Sequence, residues 1–332
     1  MSGMRGRLAP TPTGLLHCGH ARTFALAAER AGSAGLVLRI EDLDPPRCRE
    51  EFVTAAIEDL RWLGLEWTEG PDVGGPHGPY RQSERTAWYL EIWRRLEAAG
   101  AIYPSPHSRR DVDEAASAPH EEGQAGCTAT GLPKTDEPVA EAATRLPNSV
   151  ARLPCNRDSG RTATGLPAGR TATGLPAESP VFPPSLRPTR WERAAAPGGV
   201  AWRFRVPDGR TIEFHDAIEG TVRRTAGVDF GDFVVWRRDD LAAYELAVVA
   251  DDHAMEIAEV VRGADLLTST ARQILVSEAL GWTPPAFCHA PLVRDAAGQR
   301  LAKRAGGLAI RQLRARGLSP TQVLQLVPDA GG

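Results

Sequence analysis

The sequence predicts an α/β fold, and two patterns indicate it. Between residues 5 and 103, short apolar segments alternate with stretches whose apolar residues recur at helical spacing. Residues 202–206 and 211–214 instead alternate polar and apolar side chains, which is typical of half-buried strands. A chain of 332 residues has room for one large or two modest domains, and the alternation favours a mainly parallel sheet.

The predicted elements follow in chain order. A helical pattern covers 17–31, and the apolar stretch 36–40 predicts a buried strand. Residues 50–63 and 84–96 also have helical spacing, and Ser83 is placed to cap the second of these helices.

Two further strands are predicted after a long interruption. They cover 202–206 and 211–214 and flank the turn residues 207–209, Pro-Asp-Gly, which is the pattern of a hairpin.

Composition divides the chain into three parts. Residues 1–107 form the first half of the predicted domain and 181–327 the second. Residues 108–180 are rich in Ala, Thr, Gly, Pro and Ser, and the hexapeptide Thr-Ala-Thr-Gly-Leu-Pro occurs at 128–133, 162–167 and 171–176. Because such repeats bury too little apolar surface to offset the entropy of ordering, we expect a disordered insertion.

Charge and composition exclude several classes of protein. The net charge of −3 shows no general basic excess, so any nucleic acid would bind at a local basic patch. No apolar run approaches the roughly 20 residues of a membrane-spanning helix, and we expect a cytoplasmic protein with no membrane contact. Five cysteines with no C-x-C or C-x-x-C pair predict neither a disulfide framework nor an ordinary zinc site.

Lysine is nearly absent, since 37 of the 39 basic residues are arginine. Of the two lysines, Lys134 lies in the repeat-containing insertion, where chance accounts for it. Lys303 lies in a polar segment, 295–304, that has the character of a mobile loop. A compact ammonium on a flexible stem suits such a loop, so we interpret Lys303 as a group that stabilises phosphate charge in a transition state.

A His-x-Gly-His motif at 17–20 is the first candidate site. It follows a loop with two prolines and opens the predicted helix. Free N–H groups and the positive dipole end at a helix start favour phosphate, and two imidazoles can donate hydrogen bonds to a reacting phosphate. The alternative is that His17 and His20 only cap the helix.

Three acids, Glu41, Asp42 and Asp44, follow the strand predicted over 36–40. Ligand sites of open α/β sheets lie at the carboxyl ends of strands, where a carboxylate can hold a substrate ammonium. We assign this role to Glu41, the first acid after the strand, whereas Asp42 and Asp44 fit a solvated turn.

Together these motifs resemble the signature of class I aminoacyl-tRNA synthetases in its glutamate form. The resemblance begins with the block 7–20, which ends in His-x-Gly-His at 17–20. It includes the Arg-Ile-Glu-Asp strand at 39–44 and an altered Lys-Met-Ser-Lys-Ser loop at 300–304. It continues at 229–235, 244–253 and 261–265, and covers about 1–107 and 181–320. It implies a Rossmann-like catalytic domain that binds nucleotide and carries a connecting insertion.

About 30 residues follow Lys303, so we expect no helical anticodon-binding domain. The chain then resembles the glutamyl-Q tRNA(Asp) synthetases. That family activates glutamate to glutamyl-adenylate and transfers it to the queuosine base at the wobble position of tRNA(Asp). The resemblance implies that glutamate, ATP with Mg²⁺ and tRNA(Asp) carrying queuosine are the substrates, and we expect a monomer.

The same resemblance implies the site residues. Glutamate contacts would come from Arg7, Leu8, Ala9, Pro10, Thr11, Glu41, Tyr244 and Arg262. ATP contacts would come from His17, Gly19, His20 and Lys303, and the catalytic groups would be His17, His20 and Lys303. The chemistry agrees, because arginines pair with carboxylates, a glutamate side chain with an ammonium, and a tyrosine supplies a directional hydroxyl.

Many members of this family bind zinc in the connecting segment through cysteines. Here Ser105 and His107 stand at the first pair of ligand positions, and Phe182 and Leu186 stand at the second pair. Because one nitrogen ligand does not make a tetrahedral site, we predict that zinc is absent.

The basic C-terminal stretch is the predicted tRNA surface. Arg311 and Arg314 lie three positions apart on a predicted helix and share a face, which we expect to meet phosphate. The alternative is a solvated basic helix with no partner.

Other functions stay open at this point. One is a glutamyl-tRNA synthetase that charges tRNA(Glu), another a non-catalytic tRNA-binding paralogue, and a third a small-molecule adenylyltransferase. The presence of Arg7, Glu41, Tyr244, Arg262 and Lys303 disfavours a non-catalytic paralogue. The adenylyltransferase hypothesis leaves the glutamate-binding set unexplained.

Overall fold

The computed structural model describes residues 3–108, 110–112, 181–292 and 309–326, all within one compact unit. The insertion predicted over 108–180, with its repeats, lies outside these residues apart from 108 and 110–112. Lys303 and its loop also lie outside them. The domain boundaries near 107 and 181 therefore stay predictions.

Strands and helices alternate in parts of the described chain, whereas the described strands between residues 102 and 236 follow one another. The strands are β1 (Gly6–Leu8), β2 (Leu36–Leu38), β3 (Ile102–Ser105), β4 (Ala201–Phe204), β5 (Thr211–Asp216), β6 (Gly220–Thr225), β7 (Phe233–Trp236), β8 (Glu259–Gly263) and β9 (Ala286–Ala290). The helices are α1 (Cys18–Ala31), α2 (Glu50–Trp62), α3 (Thr86–Ala98), α4 (Tyr244–Ala254), α5 (Leu267–Ala279), α6 (Ile310–Ala315) and α7 (Pro320–Gln325). The predicted α/β class is confirmed.

Parallel strands form the centre of the fold. β1 pairs with β2 in parallel, and a second sheet has the order β6-β5-β9-β8, in which β5, β9 and β8 are parallel and β6 is antiparallel. The backbone N–H groups of Ala258 and Glu259 donate to the Arg5 carbonyl, which connects β1 to the start of β8. β3, β4 and β7 form a separate antiparallel sheet.

Amphipathic helices cover the parallel strands. α1 buries Ala21, Phe24 and Ala27, which recur every three residues and so share one face. This face packs in one apolar cluster with β1, β2, α2 and α6. In contrast, α4 is buried along the whole of 245–252, because it packs against α3, α5 and β7.

Two local predictions are wrong. Ser83 does not cap α3, which begins at Thr86 after the N-cap Arg85; its Oγ instead donates to Asp42 at 2.7 Å. β4 and β5 do not form a hairpin, because β4 pairs with β3 and β7 while β5 pairs with β6 and β9. Alternating polarity reveals the buried face of a strand but not its partner.

The described helices are all shorter than the roughly 20 residues of a membrane-spanning helix. The longest of them, α1, has 14 residues, and none in the described part of the chain is long and apolar enough to cross a membrane.

Candidate active site

The His-x-Gly-His motif lies at the start of α1, as predicted. His17 is the N-cap, with extended backbone, and its N–H donates to Nδ1 of His20 at 3.3 Å. The two rings stack with centroids 3.8 Å apart, and the first turn contains no acidic residue. His20 therefore does bond within the cap, and both imidazoles, with Gly19 between them, flank the positive end of the helix dipole.

The described chain that follows the predicted loop returns to this motif. Ala309, the first described residue after Lys303, forms an antiparallel bridge with His17. The next residue, Ile310, donates its N–H to the Leu16 carbonyl at 2.8 Å. The position of Lys303 itself lies outside the described residues, so its role stays a prediction.

The segment 7–11 runs beside the end of β2. The Arg39 N–H donates to the Leu8 carbonyl at 2.9 Å, and the Glu41 N–H donates to the Pro10 carbonyl at 3.0 Å. Leu8 and Pro10 are buried, whereas Ala9 and Thr11 are half-buried. These backbone bonds bring the carboxyl ends of β1 and β2 together, where the sheet rule places a ligand site.

A buried network of ions joins these strand ends to α4. Asp252 of α4 accepts from Arg39 Nη1 at 2.6 Å and from Arg7 Nε at 3.3 Å. Burial alone would raise the pKa of Asp252, but Arg39 and Arg7 outweigh it and hold that pKa below its ordinary value. Asp252 is thus an ionised partner that fixes two of the site's arginines.

Glu41 lies beside the same arginines. It is 8% exposed, and Arg39 Nη2 donates to its Oε1 at 3.1 Å. Burial raises the pKa of Glu41, although Arg39 and Arg7 oppose the shift. Part of the desolvation cost therefore stays uncompensated, and a bound ammonium would offset it.

Arg262 of β8 is buried among neutral partners. Its guanidinium donates from Nη2 to Thr270 Oγ1 at 2.7 Å, from Nε to His289 Nε2 at 3.3 Å and from Nη1 to the Tyr244 hydroxyl at 3.4 Å. It is 5% exposed and forms no salt bridge with any residue in the described ranges. Arg7 and Arg39, in contrast, share Asp252. No carboxylate of the described residues is hydrogen-bonded to Arg262, although its charge also acts on the pKa of the nearby Asp252 and Glu245 carboxyls. A substrate anion can therefore still pair with it directly.

Tyr244 completes this part of the site at the first turn of α4. Burial raises the pKa of Tyr244 to about 12, so its hydroxyl stays protonated and can donate or accept a hydrogen bond.

The structure thus brings together the predicted residues Arg7, Glu41, Tyr244 and Arg262, while the predicted histidines lie at the adjacent start of α1. The groups that hold them were not predicted from the sequence; they are Asp251, Asp252, Arg85, Thr270, Asp216 and His289. Asp251 accepts from Arg85 Nε at 2.6 Å and from the Tyr89 hydroxyl at 2.8 Å. Asp251 and Asp252 could have been noticed in the sequence, because they are two adjacent acids near the end of an apolar helix. No sequence pattern points to His289.

Two of the predicted zinc-ligand positions, Ser105 and Phe182, contact an arginine instead of a metal. Ser105 Oγ accepts from Arg203 Nε at 3.2 Å, and the Arg203 guanidinium lies 4.2 Å from the centroid of the Phe182 ring. The His107 ring is 6.5 Å from that ring, and Leu186 packs on the same apolar cluster. One hydroxyl, one imidazole and two hydrocarbon side chains do not fit zinc, which takes sulfur and nitrogen ligands.

Within the described ranges, no three His, Cys, Asp or Glu side chains come together as metal ligands would. The absence of bound zinc from the protein stays a prediction.

Residues 3–125 and 188–331 match the family described as tRNA synthetases class I (E and Q), catalytic domain. The chain belongs to this family. Membership implies that this class I synthetase domain uses ATP, and it agrees with the Rossmann-like arrangement of β1, β2, β8 and β9.

Within the class I synthetases, the chain is similar to glutamyl-Q tRNA(Asp) synthetases. It is 43% identical over 322 residues to a glutamyl-Q tRNA(Asp) synthetase of Symbiobacterium thermophilum, and 38% identical over 322 residues to one of Nitratidesulfovibrio vulgaris. Each match covers 96% of this chain and 84% of the relative.

Among solved structures, a glutamate tRNA ligase of Elizabethkingia meningosepticum in complex with its amino acid is similar, with a TM-score of 0.59 and 25% identity. The match covers 95% of this chain and 53% of the ligase, so the chain spans about half the length of that protein.

Proposed function

We propose that this protein activates glutamate with ATP and transfers it to the queuosine base of tRNA(Asp). The observation that carries the proposal is the convergence of Arg7, Glu41, Tyr244 and Arg262 at the carboxyl ends of β1, β2 and β8. The names of the two relatives support the queuosine acceptor. Cytoplasmic location and action as a monomer belong to the same proposal.

The charges of the site suit a free amino acid with an acidic side chain. The α-ammonium of glutamate pairs with Glu41, whose burial raises its pKa despite the nearby Arg39 and Arg7. A substrate carboxylate pairs with Arg262, and Tyr244 adds a directional hydrogen bond. Arg7 has two of its donors occupied by Asp252 and the Val261 carbonyl, so it contributes mainly positive potential.

Two group transfers then follow. In the first, an oxygen of the glutamate α-carboxylate attacks the α-phosphorus of Mg·ATP, the bond to the bridging oxygen breaks, and pyrophosphate leaves. In the second, a hydroxyl of queuosine attacks the carbonyl carbon of glutamyl-adenylate, AMP leaves, and the hydroxyl proton is lost to solvent. Neither step needs a protein nucleophile, so positioning and charge stabilisation provide the catalysis.

The proposed roles of the motif residues follow from these steps. His17, Gly19 and His20 bind ATP where the helix dipole favours phosphate. Lys303 stabilises charge on the phosphates as pyrophosphate departs. Replacement of Lys303 by alanine therefore lowers adenylate formation roughly 100-fold or more, as removal of one such donor does elsewhere.

Transfer of labelled glutamate tests the acceptor. The full-length protein is incubated with ATP, radiolabelled glutamate and tRNA(Asp) prepared with or without queuosine, and with tRNA(Glu) as a third substrate. We expect label only on queuosine-containing tRNA(Asp). Mild periodate treatment before the reaction destroys the queuosine diol and should abolish labelling, whereas treatment after the reaction should leave the esterified diol intact.

Two results contradict the proposal in different ways. Label at the 3′ end of tRNA(Glu) identifies a glutamyl-tRNA synthetase. ATP–pyrophosphate exchange that is independent of glutamate, with no labelled tRNA, excludes glutamate as the substrate.

The proposed absence of zinc has its own measurement. Purified protein expressed in zinc-supplemented medium should contain much less than one zinc per chain by elemental analysis. A stoichiometric content that survives dialysis against a chelator would contradict it.

A further inference from the structure

A chain of hydrogen bonds runs across three parallel strands behind the glutamate site. Asp216 ends β5, His289 lies in β9, and Arg262 lies in β8 directly opposite His289 in the strand register. Asp216 Oδ2 lies 2.7 Å from His289 Nδ1, and Arg262 Nε donates to His289 Nε2 at 3.3 Å. Asp216 and His289 have no solvent exposure.

The donors and acceptors in this chain determine the tautomer of His289. Asp216 accepts N–H groups from Ile218, Glu219 and His289 itself, and its pKa lies below the ordinary value, because these bonds outweigh the effect of burial. Because an ionised carboxylate can only accept a hydrogen bond, the neutral imidazole of His289 carries its proton on Nδ1, which faces Asp216. Nε2 is then left as an acceptor that faces Arg262 Nε and the Thr270 hydroxyl at 2.9 Å.

We propose that Asp216 and His289 are positioning residues that orient Arg262 for the substrate carboxylate without neutralising its charge. The inference rests on the proposed function, since it assigns a task to a residue of that same site. A carboxylate at position 289 would also accept from Arg262 Nε, but it would form a salt bridge and compete with the substrate. A neutral imidazole directs the guanidinium and leaves its charge for glutamate.

The remaining contacts of Arg262 agree with this role. Thr270 Oγ1 accepts from Nη2 on the same side as His289, so two neutral acceptors fix the plane of the guanidinium. Nη1 points to the Tyr244 hydroxyl on the side of the glutamate site. The orienting contacts and the substrate-facing contact therefore use different nitrogens.

Two substitutions of His289 distinguish its contact with Asp216 through Nδ1 from its contact with Arg262 through Nε2. In His289→Asn, the amide group takes the position of Nδ1 and can still bond to Asp216, but no atom reaches the position of Nε2. In His289→Gln, the side-chain oxygen reaches the position of Nε2 and can accept from Arg262. ATP–pyrophosphate exchange gives the KM for glutamate and for ATP in each full-length variant.

We expect His289→Asn to raise the KM for glutamate roughly 10- to 100-fold, the usual effect of one hydrogen bond to a charged group, with the KM for ATP within about twofold of wild type. His289→Gln should recover most of the affinity. Asp216→Asn should resemble His289→Asn, because an amide that donates to Nδ1 moves the imidazole proton to Nε2. Cys288→Ala is the matched control, since Cys288 is a buried neighbour in β9 that packs in the apolar cluster around α1.

Direct titration of glutamate by calorimetry separates this inference from the proposed function, because binding needs no turnover. Wild-type protein that neither binds nor activates glutamate overturns both. Wild-type protein that binds glutamate while His289→Asn binds it equally well overturns the positioning role alone. Equal rises in the KM for glutamate and for ATP, in folded His289→Asn and in Cys288→Ala, would also overturn it, because they indicate general loss of packing.

Discussion

Glu41 is a buried carboxylate whose pKa stays raised although Arg39 and Arg7 lie beside it. If it holds the substrate ammonium, Glu41→Gln should raise the KM for glutamate about 10- to 100-fold, because one charge-assisted hydrogen bond is lost. The amide can still accept from Arg39, so the fold should be retained. Steady-state exchange kinetics measure the effect, and an unchanged KM would place the ammonium elsewhere.

The same residue predicts a dependence on pH. Burial raises the pKa of Glu41 above its ordinary value of 4.5. Because only the ionised carboxylate attracts an ammonium, the KM for glutamate should rise as the pH falls through this raised pKa. The rise should be missing from the KM profile of Glu41→Gln, and its persistence in that variant would assign it to another group.

His289 predicts a dependence of stability on pH. Burial, together with the charge of Arg262, lowers the pKa of His289 from 6.5 to about 4. Between these values the unfolded state binds more protons than the folded state, so the free energy of unfolding falls as the pH is lowered. The loss is up to about 1.4 kcal/mol per pH unit. Urea denaturation between pH 7 and 4 measures the free energy of unfolding of wild type and of His289→Gln. The excess stability of wild type over the variant should shrink toward pH 4.

The sequence could predict the residues of the proposed glutamate site but not those that hold them. Arg7, Glu41, Tyr244 and Arg262 stand in motifs with a known resemblance. Asp252 and His289 act through contacts with residues up to 245 positions away, and such distances are not encoded in any local pattern. Contacts between such distant residues can be identified only once the fold has placed the strands and α4 side by side.

At the scale of elements, α6 packs against α2 through a partly buried ion pair. Arg311 Nη2 lies 2.9 Å from Glu58 Oε2 and 3.6 Å from Asp59 Oδ1. Asp59 has no exposure, neither of its carboxylate oxygens has a hydrogen-bond partner, and burial raises its pKa. Arg314 lies 5.7 Å from the Trp62 ring of α2. Both arginines of the predicted tRNA-binding face thus contact α2, and the expectation that they bind phosphate stays untested.

This contact predicts a loss of stability. Arg311→Ala should lower the free energy of unfolding by about 1–3 kcal/mol, because it leaves the buried Asp59 carboxylate without its nearest cation. The double variant Arg311→Ala with Asp59→Asn should recover part of the loss. Arg314→Ala, at an exposed position, serves as the control and should change stability by less than about 0.5 kcal/mol. Equal losses in the two arginine variants would contradict a specific role for the Asp59 pair.

Helices were easier to predict than strand pairing for a physical reason. The helix predicted over 50–63 matches α2, because its apolar spacing is a local property of one segment. The pairing of β5 with β9 joins residues about 70 positions apart, so nothing near the turn at 207–209 reveals it.

At the scale of the whole molecule, the family match leaves residues 126–187 unmatched. Deletion of 126–180, with a short glycine-serine linker in their place, should therefore leave glutamate-dependent ATP–pyrophosphate exchange within about threefold of wild type. A scrambled sequence of the same length and composition is the matched control. Loss of exchange in the deletion but not in the scrambled variant would show that the activation site needs the length of this segment, and loss in both would show that it needs the sequence.

The contact between β1 and β8 also affects the protein during its synthesis. Arg7 donates to the carbonyl of Val261, which is translated 254 residues later. At about 5–20 residues per second, roughly 13 to 50 s pass between the two. During that interval Arg7 and Arg39 lack Asp252, so water must solvate guanidinium groups that are buried in the finished protein. A ribosome that stops before residue 252 thus releases a chain that carries its first two site arginines without the carboxylate that fixes them.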